Sequence, residues 1–75
     1  MADTHLDMKG LNCPLPVLKA NKAIRAMTAG ETLTVEVTDP AAPEDFANFC
    51  DTAGHALVSC DEAGAGWTIA LRKGG

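Results

Sequence analysis

Residues 14–38 read PLPVLKANKAIRAMTAGETLTVEVT, and the period of their apolar positions changes once along the run. From 14 to about 28 the spacing is helical. Val17, Ala20, Ile24 and Met27 form a stripe with Leu18 and Ala23 alongside, while Lys19, Lys22 and Arg25 fall between them toward solvent. Ala29-Gly30 supplies the stop. From 32 to 38 the period drops to two: Leu33, Val35 and Val37 point one way and Thr34, Glu36 and Thr38 the other. A helix that feeds a strand apolar on one face needs further elements to close a core, and the flanks supply them.

Upstream, residues 4–8 alternate weakly, with Leu6 and Met8 on one side, and predict a short first strand joined to the helix by residues 9–12. Downstream, Asp39-Pro40 ends the central strand. A second helix is expected from Pro43, a residue suited to the first helical position, to Ala53, with Phe46, Phe49, Cys50 and Ala53 as its apolar stripe and Gly54 as its stop. Residues 55–61 predict a third strand, with Cys60 on the opposite face from Leu57. Residues 62–66 predict a turn, and residues 67–72 a fourth strand with Trp67, Ile69 and Leu71 on one face. The expected fold is α/β: a two-layer sandwich in the order βαβαββ, a four-stranded mixed sheet with both helices on one face. The 75 residues make one domain, 1–75, whose small core implies modest stability.

Charge narrows the function. The net charge of −4 argues against nucleic acid as a partner of the whole molecule. All ten carboxylates lie outside the segment from Met8 to Gly30, which carries Lys9, Lys19, Lys22 and Arg25. Lys19, Lys22 and Arg25 read either as a solvated helix face or as a docking face for a partner with an acidic surface. The first residues lack a basic stretch followed by an apolar run, and no apolar stretch approaches the ~20 residues that span a bilayer. Three cysteines at 13, 50 and 60 are odd in number and widely spaced, which argues for a reducing compartment, hence a cytoplasmic location away from membranes.

The chemistry concentrates in Asn12-Cys13-Pro14-Leu15-Pro16. Pro14 fits the first helical position, since its missing N–H has no intrahelical partner there, and this places Cys13 at the N-cap. Cysteine is unusual at a position that favours Ser, Thr, Asp or Asn. The helix N-terminus favours the thiolate, the Leu15 N–H is the expected donor to sulfur, and Lys9 is the nearest cation in sequence. Pro16 occupies the place of a resolving thiol in a Cys-x-x-Cys pair, so dithiol exchange is not expected. A lone activated thiol can instead accept a sulfane sulfur as a persulfide and hand it on; the alternative is a cysteine that only caps and packs. Cys50, on the stripe of the second helix, reads as a buried structural residue, and Cys60 as a residue near the surface. His5 and His55 make no metal-ligand spacing with the cysteines, so no metal site is expected.

Leu6-Asp7-x-x-Gly10-Leu11-x-Cys13-Pro14-Leu15-Pro16-Val17-Leu18-Lys19 resembles the signature of the TusA/SirA family of sulfur-carrier proteins. Asp39-Pro40, Asp45-Phe46, Phe49-Cys50 and Gly54-His55 follow in the family's order, so the resemblance runs from Leu6 to Lys73. It implies the same βαβαββ fold. It also implies a sulfurtransferase role in which Cys13 carries a persulfide, without a separate cofactor. The sulfur would be loaded by a cysteine desulfurase or a rhodanese-like donor and passed to a partner cysteine, serving tRNA thiolation, molybdenum-cofactor maturation or sulfur oxidation. The terminal Gly74-Gly75 is not read as a thiocarboxylate tail, because fold pattern and Cys13 point elsewhere. A non-catalytic protein- or nucleic-acid-interaction module of the same fold is the alternative. The acidic balance and the lack of aromatic residues in a basic setting argue against it.

Overall fold

The computed structural model describes residues 3–74; Gly75, half of the terminal glycine pair, lies outside them. The elements run β1 (Thr4–Met8), α1 (Leu15–Arg25), β2 (Thr32–Val37), α2 (Ala42–Ala53), β3 (Ala56–Ala63) and β4 (Gly66–Arg72). The sheet order is β1-β2-β4-β3, with β1 parallel to β2 and the other two pairs antiparallel. Register explains the layers. Leu6 and Met8 pair with Val35 and Val37, and these in turn pair with Ile69 and Trp67, so one face of the sheet is apolar. His5, Asp7, Thr34, Glu36 and Thr68 occupy the other face.

The helices lie side by side on the apolar face, α1 over β1 and β2, α2 over β3 and β4. Ala20 and Ile24 from α1 and Phe46 and Cys50 from α2 are buried against Leu33, Val35, Ile69 and Leu71. Each such aliphatic or aromatic side chain contributes roughly 1.5–3 kcal/mol on burial. Gly54 ends α2 in the left-handed conformation, φ 80°, and its N–H and that of His55 both donate to the Cys50 carbonyl. At Gly66 a Cβ would stand 1.9 Å from the Val37 carbonyl oxygen, so only glycine lets β4 begin there.

Several boundaries, and one register, differ from the sequence reading. α1 stops at Arg25 rather than near Thr28, because the Lys73 ammonium takes the Arg25 and Met27 carbonyls and Glu31 accepts the Thr28 N–H. α2 begins at Ala42, which puts Pro43 in its second position. β3 and β4 run on to Ala63 and Gly66, shortening the turn to Gly64-Ala65. Finally, a register shift between Leu57 and Ser59 sets Leu57 opposite Leu71 and Cys60 opposite Ile69. The extra residue turns Cys60 to the same face as Leu57, correcting the opposite-face assignment.

Candidate functional site

Cys13 lies outside α1. The first helical hydrogen bond runs from the Leu18 N–H to the Pro14 carbonyl, which makes Pro14 the N-cap and leaves Cys13 in the turn before it. The Leu15 N–H closes that turn onto the Asn12 carbonyl at 2.9 Å. It is therefore spent on the backbone, which corrects the expectation that it donates to sulfur. The Cys13–Pro14 peptide is cis. Pro14 and Leu15 are exposed, while Pro16 faces the core and anchors the start of the helix.

Two carboxylates to which the sequence reading gave no role at the site flank the cysteine: Asp39, read as the end of the central strand, and Asp45, read as part of the family pattern. Asp39, in the β2–α2 connection, accepts the Cys13 N–H with Oδ2 and the Ala41 N–H, at 3.1 Å, with Oδ1. One side chain thus ties the cysteine loop to the start of α2. Asp45, in the first turn of α2, lines one groove with Cys13, and its carboxylate acts on the thiol. Asp-Pro before a helix is a readable turn signal, and Oδ1 fulfils it. The bond to a residue 26 positions away has no local signature.

These neighbours reverse the expected electrostatics. The hydrogen bond to Asp45, followed by partial desolvation and the charges of Asp45 and Asp39, pushes the Cys13 thiol above its ordinary range. Lys9 does not offset this: its Nζ lies 3.6 Å from Asp7 and 3.5 Å from Glu36, on the polar sheet face. The expectation of a thiolate favoured by the helix end and Lys9 is corrected on both counts. Cysteine one residue outside the helix meets carboxylates rather than free amides.

The thiol opens into a shallow groove of about 370 Å³ between the helices, lined by Cys13, Pro14, Val17, Asp45, Asn48, Phe49 and Thr52. A second groove of about 650 Å³ lies on the other side of α1, against β1, where Lys9, Lys19 and Lys22 surround Leu6, Met8, Leu11 and Ala23. The structure therefore groups Lys9 with two of the three expected docking cations. Arg25 is exposed in the last turn of α1 and lines neither groove.

Cys50 is buried at 3 % exposure, as its place on the stripe of α2 predicted, and burial pushes its thiol up. Cys60 is exposed on β3. Among the described residues all three cysteines are free thiols, and no three His, Cys, Asp or Glu side chains are grouped to hold a metal ion. His55 Nδ1 accepts the Gly74 N–H at 3.0 Å and its ring tilts against Phe49, while His5 Nε2 stands 2.9 Å from Glu36. No helix among the described residues is long and apolar enough to cross a membrane.

Known proteins resemble this chain over nearly its whole length. The family model described as sulfurtransferase TusA matches residues 4–73. Two proteins of Neisseria meningitidis named as sulfur carriers, from serogroups A and B, are each 45 % identical over 72 residues, covering 96 % of this chain and 97 % of theirs. The sulfur carrier protein TusA of Allochromatium vinosum is 41 % identical over 71 residues, covering 95 % of this chain and 93 % of its own.

Proposed function

This chain belongs to the TusA family of sulfurtransferases, and we propose that within it Cys13 is the atom carrier, taking sulfane sulfur from one protein and giving it to another. The exposed, unpaired Cys13 thiol at the mouth of an open groove carries the reading. In loading, Cys13 gives up its proton and its sulfur attacks the outer sulfur of a donor persulfide. The donor S–S bond breaks, the donor cysteine leaves as a thiolate, and a new S–S bond forms on Cys13. Unloading repeats the exchange with an acceptor cysteine, so electrons balance without an oxidant. The sulfur travels as a covalent persulfide, with no separate cofactor.

A cysteine desulfurase or rhodanese-like protein fits the donor, and a protein with a reactive cysteine fits the acceptor, in tRNA thiolation, molybdenum-cofactor maturation or sulfur oxidation. The cytoplasm suits a carrier whose three cysteines are free. Lys19, Lys22 and Arg25 are exposed and offer the docking charges. Pro14, Leu15 and Pro16 support the site by starting α1 directly after the cysteine.

Intact-mass measurement after incubation with a cysteine desulfurase and free cysteine tests the proposal. The wild-type chain gains one sulfur atom and the Cys13→Ser variant gains none. Sulfur retained in Cys13→Ser, or no gain in the wild type with desulfurase and rhodanese-type donors alike, overturns it.

A further inference from the structure

The site holds its nucleophile in an unhelpful state, and the residue responsible is not among those the sulfur exchange itself requires. Two carboxylates act on Cys13 from two different elements: Asp39 from the β2–α2 connection and Asp45 from α2. Asp39 is committed, with Oδ2 on the Cys13 N–H and Oδ1 on the Ala41 N–H. Asp45 is not. Its backbone N–H bonds the Ala41 carbonyl, but its carboxylate lines the open groove with the thiol, half-buried, and among the described residues no ion pair holds it. Lys9, Lys19 and Lys22 line the other groove, beyond α1.

From this arrangement, and resting on the carrier reading above, we infer that Asp45 is a gate for Cys13: its carboxylate shares the open groove with the thiol and its negative charge disfavours the thiolate in the free carrier, and a partner in sulfur transfer that brings a basic side chain to Asp45 cancels that charge and frees the sulfur to attack.

The physics is that of adjacent charges. A thiolate formed in the free protein adds a third negative charge beside Asp39 and Asp45 and loses its hydrogen bond, so the neutral thiol is favoured. A guanidinium or ammonium from the partner pairs with Asp45, cancels its charge and adds a positive one beside the sulfur, which lowers the cost of ionisation as the donor persulfide arrives. The proton leaves to solvent before the groove closes, and no redox change accompanies it. The free carrier is thereby guarded against oxidation and stray electrophiles, whose attack needs the thiolate. The inferred partner surface is bipolar, with a basic residue opposite the inter-helix groove.

The test measures iodoacetamide alkylation of Cys13 across pH 6.5 to 10 by peptide mass mapping, which separates it from exposed Cys60, for the wild type, Asp45→Asn and Asp45→Glu. Asp45→Asn should shift the inflection downward and speed alkylation at pH 7.5 by roughly three- to tenfold, since one pKa unit is tenfold in thiolate at pH below the midpoint. Asp45→Glu should stay near the wild type. In loading by a cysteine desulfurase with cysteine, Asp45→Asn should raise KM for the carrier about tenfold although its thiol is more reactive, an opposition that a merely structural residue would not produce. An unchanged inflection in Asp45→Asn, or a KM unchanged or lower, overturns the gate. Should Asp45→Asn fail to fold by circular dichroism, Asp45→Ser carries the same two measurements. Alkylation needs no sulfur donor, so a wild-type chain that takes up no sulfur overturns the carrier reading and the partner step with it, whereas a failure in the alkylation arm strikes the gate alone.

Discussion

On the side of α1 that faces α2, the surface is a groove with one thiol and the Asp45 carboxylate. On the side that faces β1, it is a groove lined by Leu6, Leu11 and Ala23 with Asp7 and three lysines, of which Lys9 turns its ammonium to Asp7 and Glu36. One helix of 11 residues divides the two. Val17 lines the first and Lys19 the second, two residues and therefore about 200° apart around the axis, and Lys22 returns to the flank of Lys19 within about 60°. Closeness in sequence thus separates Cys13 from the lysines that follow it. The thiol's electrostatic neighbours are instead carboxylates from beyond β2. In the proposed function the cations near Cys13 in the chain meet what approaches the carrier, while the distant carboxylates act on the sulfur.

The harshest way to break this division is to remove what sets the helices side by side. Phe46 is fully buried on the core face of α2, one residue after Asp45. Phe46→Ala should cost about 3–5 kcal/mol, a large share of the stability of so small a domain. Urea denaturation followed by circular dichroism should show a midpoint near or below zero denaturant. A midpoint within 1 M of the wild type would mean that the core does not depend on α2 as its burial implies.

Charge reversal sharpens the comparison without touching the core. Lys19→Glu with Lys22→Glu should slow sulfur loading about tenfold at low ionic strength, with the difference shrinking as salt is added. Alkylation of Cys13 should be unchanged, because these lysines do not act on the sulfur. A doubly reversed carrier that loads at the wild-type rate would remove the docking role from this flank.

The same division explains what the sequence made legible. The strand at Thr32–Val37 and the stripe Phe46, Cys50 could be read because period and burial are local consequences of which face meets the core. Cys13 could be singled out because two prolines beside a cysteine at a helix start break a local preference. Its environment could not. Placing Cys13 at the N-cap rested on Pro14 as the first helical residue, and the structure uses Pro14 as the cap. A shift of one position exchanged the helix amides for a clamp by Asp39, and the carboxylates that meet the thiol lie 26 and more residues away. The bulge after Leu57 escaped notice for a similar reason: an inserted residue leaves the alternation of each half intact and changes only their relation.

A milder perturbation tests the clamp. Asp39→Asn keeps the shape but loses the negative charge that receives the Cys13 and Ala41 N–H groups. Hydrogen bonds to charged groups contribute about 1.5–3 kcal/mol, and water can replace the partner of an exposed amide, so a loss of about 1 kcal/mol is expected. Amide hydrogen exchange at Cys13 should accelerate more than at Val35. Equal acceleration at both would mean global loosening rather than release of the loop.

The smallest effect separates two of the three raised thiols, Cys13 and Cys50, by cause. Cys13 is pushed up first by its hydrogen bond to Asp45, then by partial desolvation and the charges of Asp45 and Asp39; Cys50 is pushed up by burial, and Cys60 by burial and the charge of Asp61. A thiol whose folded value is raised favours the native state while it is protonated. Its contribution is complete below the unfolded range near 8.5 and is lost as pH rises through the folded value. Thermal unfolding should therefore show Tm falling from pH 8 to pH 10.5, and Cys50→Ala should flatten part of that fall. Salt distinguishes the remainder. Charge repulsion at exposed Cys13 is screened by ions, whereas desolvation at Cys50 is not. In a Cys60→Ser background, with Cys13 intact and Cys50→Ala in place, 0.5 M salt should ease the alkaline loss; with Cys13→Ser and Cys50 intact, it should leave the loss nearly unmoved. Equal salt response in both variants would assign the two thiols a common cause and erase the contrast between groove and core.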